Sequence, residues 1–275
     1  MSVRLRALVL VATLGPGGAW ALPAHAADEV TCGTVITASA QLTHDLDCAS
    51  GDGLTIGASG TEGEPVVLDL GGFTISGDGT GGRVGVRIDS QHHVVVRNGS
   101  IAGFDRGVDV LQSMRVGVSG LTVNAVDRGI NVGGGGYHTI ERNTVTASGR
   151  DGIRLGATTN TLVTRNTVQD ANWGISIGGY TTRNFVELNT VTGSARHGIG
   201  AFDNVRGVAI VRNVVTNNAD GIFVGKEVEE AHLESNEAVG NRGDGIHVDT
   251  SSVTMLNNLA HGNQSMDVRT EDDPD

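Results

Sequence analysis

Several residue types are nearly missing from this chain, and each shortage rules something out. Aromatic side chains make up 3% of the 275 residues, too few for an ordinary aromatic-rich globular core. The only cysteines are Cys32 and Cys48, with neither a C-x-x-C redox pair nor enough thiolates for a tetrahedral zinc site. Lys226 is the single lysine, and the formal charge of −12 comes with no compensating basic run, so a nucleic-acid partner is not expected. No apolar stretch is long enough to span a bilayer, and no segment combines helical periodicity with capping residues.

The longest apolar run, residues 7–15, follows Arg4 and Arg6 and precedes Ala24-His25-Ala26. A basic start, a short apolar stretch and a small-x-small ending read as a Sec-type signal peptide, residues 1–26, cleaved after Ala26. Its removal takes the formal charge from −12 to −14. The mature chain is expected to be secreted, extracellular and monomeric, and Cys32 and Cys48 are expected to pair in that oxidising compartment.

What the chain has in abundance is glycine, 42 residues, and the glycine is periodic. Gly107, Gly129, Gly152, Gly174, Gly198, Gly221 and Gly245 recur every 22 to 24 positions. A second column, Asn143, Asn166, Asn189, Asn213, Asn236 and Asn258, keeps step with it. Between the landmarks apolar and polar residues alternate over three to five positions, as in GIRLG and TIERNTV, which is strand periodicity broken by turn residues. Three short strands and three turns per repeat make one coil of a parallel β-solenoid. Such coils must stack to bury their Ile, Val and Leu columns, and stacked asparagines can bond along the axis at a turn.

The G-[IV]-x-[VLI]-G and R-N-T-V elements resemble the repeats of right-handed parallel β-helix proteins of the pectate-lyase-like superfamily. The resemblance spans about residues 53–268 and implies an all-β single right-handed parallel β-helix of about eight or nine coils. Residues 27–52, with the Cys32–Cys48 disulfide, are then an N-terminal cap, and residues 269–275 a disordered acidic tail.

In G-I-x-V the flanking apolar residues point inward and x points out. The outward column reads Asp109, Asn131, Arg154, Ser176, Gly200, Phe223 and His247; the residues before each glycine read Arg106, Arg128, Asp151, Trp173, His197, Asp220 and Asp244. At HGIGAFDN, residues 197–204, the repeat breaks: Gly200 drops a side chain, and Phe202 and Asp203 replace the usual turn glycine. With Trp173, Tyr180 and Phe223 close by, the break reads either as a sugar-stacking notch or as a packing adjustment in which Gly200 avoids a clash.

The resemblance implies polysaccharide along this face. Arginine suits a uronate carboxylate and neutral histidine suits proton abstraction, which makes Arg154, His197 and the rival base Lys226 the candidate catalytic groups. Arg128, Trp173, Tyr180, Phe202, Asp203 and Phe223 are candidate substrate contacts. Asp220 and Asp244, on adjacent coils, are a candidate calcium or glycosidase pair, or simply Asp-Gly turns. Three functions stay open: a lyase or epimerase of acidic polysaccharide, a non-catalytic extracellular binding or structural module, and a glycoside hydrolase.

Overall fold

The computed structural model describes residues 30–146 and 149–271. The signal peptide with its cleavage point at Ala26, and the end of the acidic tail, lie outside the described residues. The chain winds as an all-β right-handed parallel solenoid of about ten turns, with no helix among the described residues. Strands pair in parallel with their counterparts in adjacent turns, which generates three long ladders along the axis and a short separate pairing of Val205–Arg206 with Val228–Glu229. The extended segment His92–Gly136 contributes to all three over two consecutive turns.

The count of eight or nine coils rests on the 22-to-24-residue spacing, which the first turns do not keep. Leu54 pairs with Val86 across a longer excursion, and Val35 pairs with Thr55. The segment closed by the Cys32–Cys48 disulfide is itself a turn: its strands Val35–Ile36, Ala40–Gln41 and Leu46–Cys48 each pair with a strand of the next turn.

Inward residues form unbroken apolar files. Ile130, Ile153, Ile175, Ile199, Ile222 and Ile246 follow one another in the first ladder and are fully buried, as are Ile140, Val163, Val186, Ile210 and Leu233 in the second. Each file continues across the turns, so the core is a column that no single coil could bury alone.

The corner between second and third ladders is sharp because one residue per turn is left-handed: Arg142, Arg165, Leu188, Arg212, Ser235 and Asn257 have φ between 52° and 56°. The asparagine that follows each one offsets this local cost. The Oδ1 of Asn189 accepts from both the backbone N and the Nδ2 of Asn166, and Asn189 Nδ2 donates to Asn213 Oδ1 and to the Val163 carbonyl. The pattern runs from Asn143 to Asn258. A second file, Ser194, Asn218, Asn241 and Asn263, does the same at the next corner and ends on Asp267. Its members sit five residues after those of the first file from Asn189 onward, a spacing the sequence reading passed over.

His138 is buried in the turn after the glycines at 133–136, where its Nδ1 accepts a hydrogen bond from the Val116 backbone N at 3.3 Å. Burial pushes its pKa down to about 4, partly offset by the Gly134 backbone. A proton on Nδ1 would face the Val116 N–H, so the ring is held neutral.

Two outcomes follow. Asn189→Ala leaves buried partners unmatched and is expected to cost about 3 kcal/mol of unfolding free energy, measured by chemical denaturation, with Thr190→Ala on the exposed side close to neutral. For His138 the unfolded chain takes up its proton near pH 6.5 and the folded one only near 4. The neutral ring's contribution is therefore complete above pH 6.5 and is lost as pH falls towards 4, roughly 3 kcal/mol in total. Denaturation midpoints between pH 7.5 and 4.5 should fall less steeply in His138→Gln.

Candidate functional site

The outer face of the first ladder carries the candidate residues, because register sets each outward side chain beside that of the next turn, about 4.8 Å along the axis. Arg154 pairs with Asn131 on one side and Ser176 on the other; Ser176 then pairs with Gly200, Gly200 with Phe223, and Phe223 with His247.

Gly200 is small because two rings occupy the space above it. A Cβ there would lie 3.1 Å from Cζ3 of Trp173 and 3.4 Å from Cε1 of Phe202. Phe202 stands at the position of Gly178 one turn earlier, and folds its ring back onto Trp173 with centroids 4.8 Å apart. The row continues from Trp173 to His197 at 4.7 Å, to Phe223 at 4.6 Å in a near-parallel stack, and to His247 at 5.3 Å edge-on. The Arg196 guanidinium sits 4.9 Å over Trp173. Of the two expectations for HGIGAFDN, the notch is filled by the protein's own rings, leaving a ridge of five contiguous aromatic and imidazole groups.

His197 has 13% of its side chain exposed, and its Nδ1 approaches Asp220 Oδ2 to 3.0 Å. This is a close contact and not an aligned hydrogen bond, since Nδ1 has no partner at hydrogen-bonding angles. The imidazole contact, joined by a hydrogen bond from the Asp244 backbone N, holds the Asp220 carboxyl below its ordinary range despite burial. With Nδ1 turned to the acid, Nε2 is the nitrogen left for a ligand.

Acids on this face are already matched. Asp151 takes Arg128 Nε at 2.9 Å and Ser176 Oγ at 2.6 Å, while Arg128 also reaches Asp127. Asp109, fully buried, takes Arg106 and the Asn131 amide. Asp244 lies near His247 and Arg269 and accepts from the Met266 backbone. Unlike Arg106, Arg128 and Arg269, Arg154 has no ion pair or side-chain hydrogen bond with the described residues. Its guanidinium lies over Gly156, where a Cβ would stand 3.0 Å from Cζ. Burial lowers its pKa, aided by Arg128, Arg150 and Arg106 and opposed by Asp151.

The family model for the right handed beta helix region matches residues 66–215 and 106–265. The chain belongs to that family. No curated protein matches it in sequence. Among solved structures it is similar to the periplasmic alginate epimerase AlgG, at 15% identity and a TM-score of 0.55 over 86% of this chain and 61% of that one. It is also similar to the pectate lyase Pel9A, at 16% and 0.52 over 81% and 70%. PfbA, a surface adhesin of Streptococcus pneumoniae, matches at 11% and 0.51 over 83% and 71%. The chain spans between 38% and 73% of the length of the first of its structural neighbours. Identities this low establish the fold alone.

Within this β-helix, Trp173, His197, Phe202 and Phe223 come together in one ridge, with Arg154 on the flank towards the N-terminal coils. Tyr180 is 77% exposed on the turn after Trp173–Gly178 and joins no ring contact. Asp203 holds that same turn through its backbone carbonyl, which accepts from Gly179 and Tyr180. Lys226 is exposed beyond the end of Asp220–Val224. Arg128 is spent on Asp151 and Asp127, so it acts on the face only through Asp151. Asp220 and Asp244 do not fit a calcium site: their oxygens serve His197, the Asp244 backbone, His247, Arg269 and the Met266 backbone. Among the described residues no three His, Cys, Asp or Glu side chains converge on a metal position. Sequence reasoning missed the roles of Asp220 as the partner of His197 and of His247 as the end of the ridge, although both stand next in their columns. A depression of about 560 Å³ lined by Thr182, Arg183, Arg206, Gly207 and Glu230 shares no residue with the ridge.

Gly200→Leu has no room beneath these rings. In residues 27–275, where Trp173 is the single tryptophan, this variant is expected to shift indole emission to the red by exposing the ring, while Ser176→Ala leaves it in place.

Proposed function

We propose that the ridge and its Arg154 flank engage an acidic polysaccharide outside the cytoplasm, with uronate lyase or epimerase chemistry as the leading reading. The observation that carries this is Arg154: a half-buried guanidinium, lowered in pKa by burial, left without a partner where every neighbouring arginine has one. Burying an unpaired cation costs stability, and a ligand carboxylate held by two parallel N–H···O bonds offsets that cost. The ridge beside it offers ring faces of the kind that stack on sugars. The Cys32–Cys48 disulfide is consistent with an exported protein.

In this reading Arg154 neutralises the uronate carboxylate, which makes the C5 proton acidic enough to remove. His197 Nε2 takes that proton, and Asp220 stabilises the imidazolium that forms. The electron pair left at C5 is delocalised into the carboxylate. In a lyase it then expels the oxygen on C4, which takes a proton from the His197 imidazolium or from water as it leaves, and a C4–C5 double bond forms. In an epimerase a proton returns to C5 from the opposite face. Lys226 is the rival base, and glycoside hydrolysis by Asp220 and Asp244 is disfavoured because their oxygens are engaged.

A second reading, a non-catalytic binding module, is favoured by the packing of His197 between Trp173 and Phe223 with little of its side chain open. Incubation with a panel of polyuronates in D2O separates the readings. Ultraviolet absorbance reports unsaturated ends, and NMR reports deuterium at C5. Turnover that falls at least about 100-fold in both His197→Ala and Arg154→Ala fits the catalytic reading. Binding without turnover leaves the module. Absence of both removes the carbohydrate reading.

A further inference from the structure

We propose that Asn131 Oδ1 is a specificity contact of the Arg154 subsite, so that the site takes a carboxylate together with a nearby hydroxyl group instead of an anion alone. The inference rests on the reading of Arg154 as an anion contact given above.

Asn131 is 5% exposed and precedes Arg154 in the outward column as its register partner. Its amide orientation is fixed by chemistry. Nδ2 donates to Asp109 Oδ1 at 2.7 Å, and Asp109, which also takes Arg106 Nη1 at 2.8 Å, can only accept when ionised. Oδ1 therefore does not face Asp109 and is buried with no donor among the described residues; the next outward residue in register is Arg154. A buried acceptor with no partner is uncommon in a native interior and costs stability.

The donor that register would supply is Arg154, yet its guanidinium is turned along its own strand over Gly156. The other neighbour of Arg154, Ser176, is committed to Asp151. An unpaired guanidinium and an unpaired amide oxygen thus belong to residues on consecutive rungs, one a donor of paired N–H groups and the other a lone acceptor. No described side chain bonds Arg154 in its present position, so a ligand carboxylate can draw the guanidinium off Gly156 and bring the rest of the ligand over the Asn131 rung. A hydroxyl on the same ligand then donates to Oδ1. The pairing matches a sugar acid, which carries both groups on one ring, and does not match a simple carboxylate, sulfate or phosphate.

The test uses the full chain and compares binding of methyl glucuronide and methyl galacturonide with cyclohexanecarboxylate, which has the ring and the carboxylate but no hydroxyl. Isothermal titration gives the affinities for the wild type, Asn131→Leu and Arg154→Ala. The wild type is expected to prefer at least one sugar acid by about tenfold or more. In Asn131→Leu that preference should fall towards unity with cyclohexanecarboxylate little changed, and in Arg154→Ala all three ligands should weaken. Asn131→Ser, too short to reach the next rung, serves if the leucine variant does not fold. Equal wild-type affinity for the hydroxylated and bare acids, with both lost in Arg154→Ala, overturns the role of Asn131 and leaves the anion contact standing. A preference that survives in the Asn131 variants overturns it equally. No binding of any of these acids overturns both.

Discussion

The parallel register between successive coils is the constraint on which everything else in this molecule rests. A slip of one residue in any turn would send its isoleucine and valine files outward and its polar column into the core. The buried asparagines prevent this at one corner of each coil. Each satisfies the backbone N–H of the asparagine before it and a carbonyl one coil back, so it fits only where its neighbours are in step. Hydrophobic stacking supplies the drive to pile coils; the asparagine files help to define how they are piled. The left-handed residues beside them show the cost, since arginine, leucine and serine all adopt a conformation that an L-residue rarely takes.

The same register turns a one-dimensional pattern into a surface. Positions 22 to 24 residues apart become neighbours less than 5 Å apart, and a functional group is assembled from single residues on consecutive coils. On the first ladder this yields an electrostatic sequence along the axis. Arginines matched by Asp109 and Asp151 come first, then the ring ridge, then Asp220 and Asp244 matched by His197, His247 and Arg269. In a chain of strong negative charge, Arg154 stands out because both side chains stacked against it are turned to other partners.

The break at HGIGAFDN follows from ring size. Trp173 and Phe202, on adjacent coils, both lean over position 200, where a Cβ would lie 3.1 Å from the indole, and Gly200 leaves that space to the rings. Phe202 then covers Trp173, and the stack passes through His197 and Phe223 to His247. The irregularity therefore serves packing first. The ring edges and faces of the ridge are fixed by one another.

Much of this was legible in the amino-acid order, because in a solenoid the period of the chain is the period of the structure. The apolar files, the first asparagine file and the identity of the outward column follow from spacing, and the disulfide from there being only two cysteines in a chain read as exported. The early turns were less legible, since the long excursion between Leu54 and Val86 hides their repeat. What spacing could not decide is where side chains on one face turn: that Arg154 folds over Gly156, that Asn131 reaches back to Asp109, and that Phe202 leans across Gly200 onto Trp173. Register fixes which Cα atoms are neighbours. The direction of each long side chain is settled by competition among all the donors, acceptors and rings within reach, and that competition exists only once the coils are stacked.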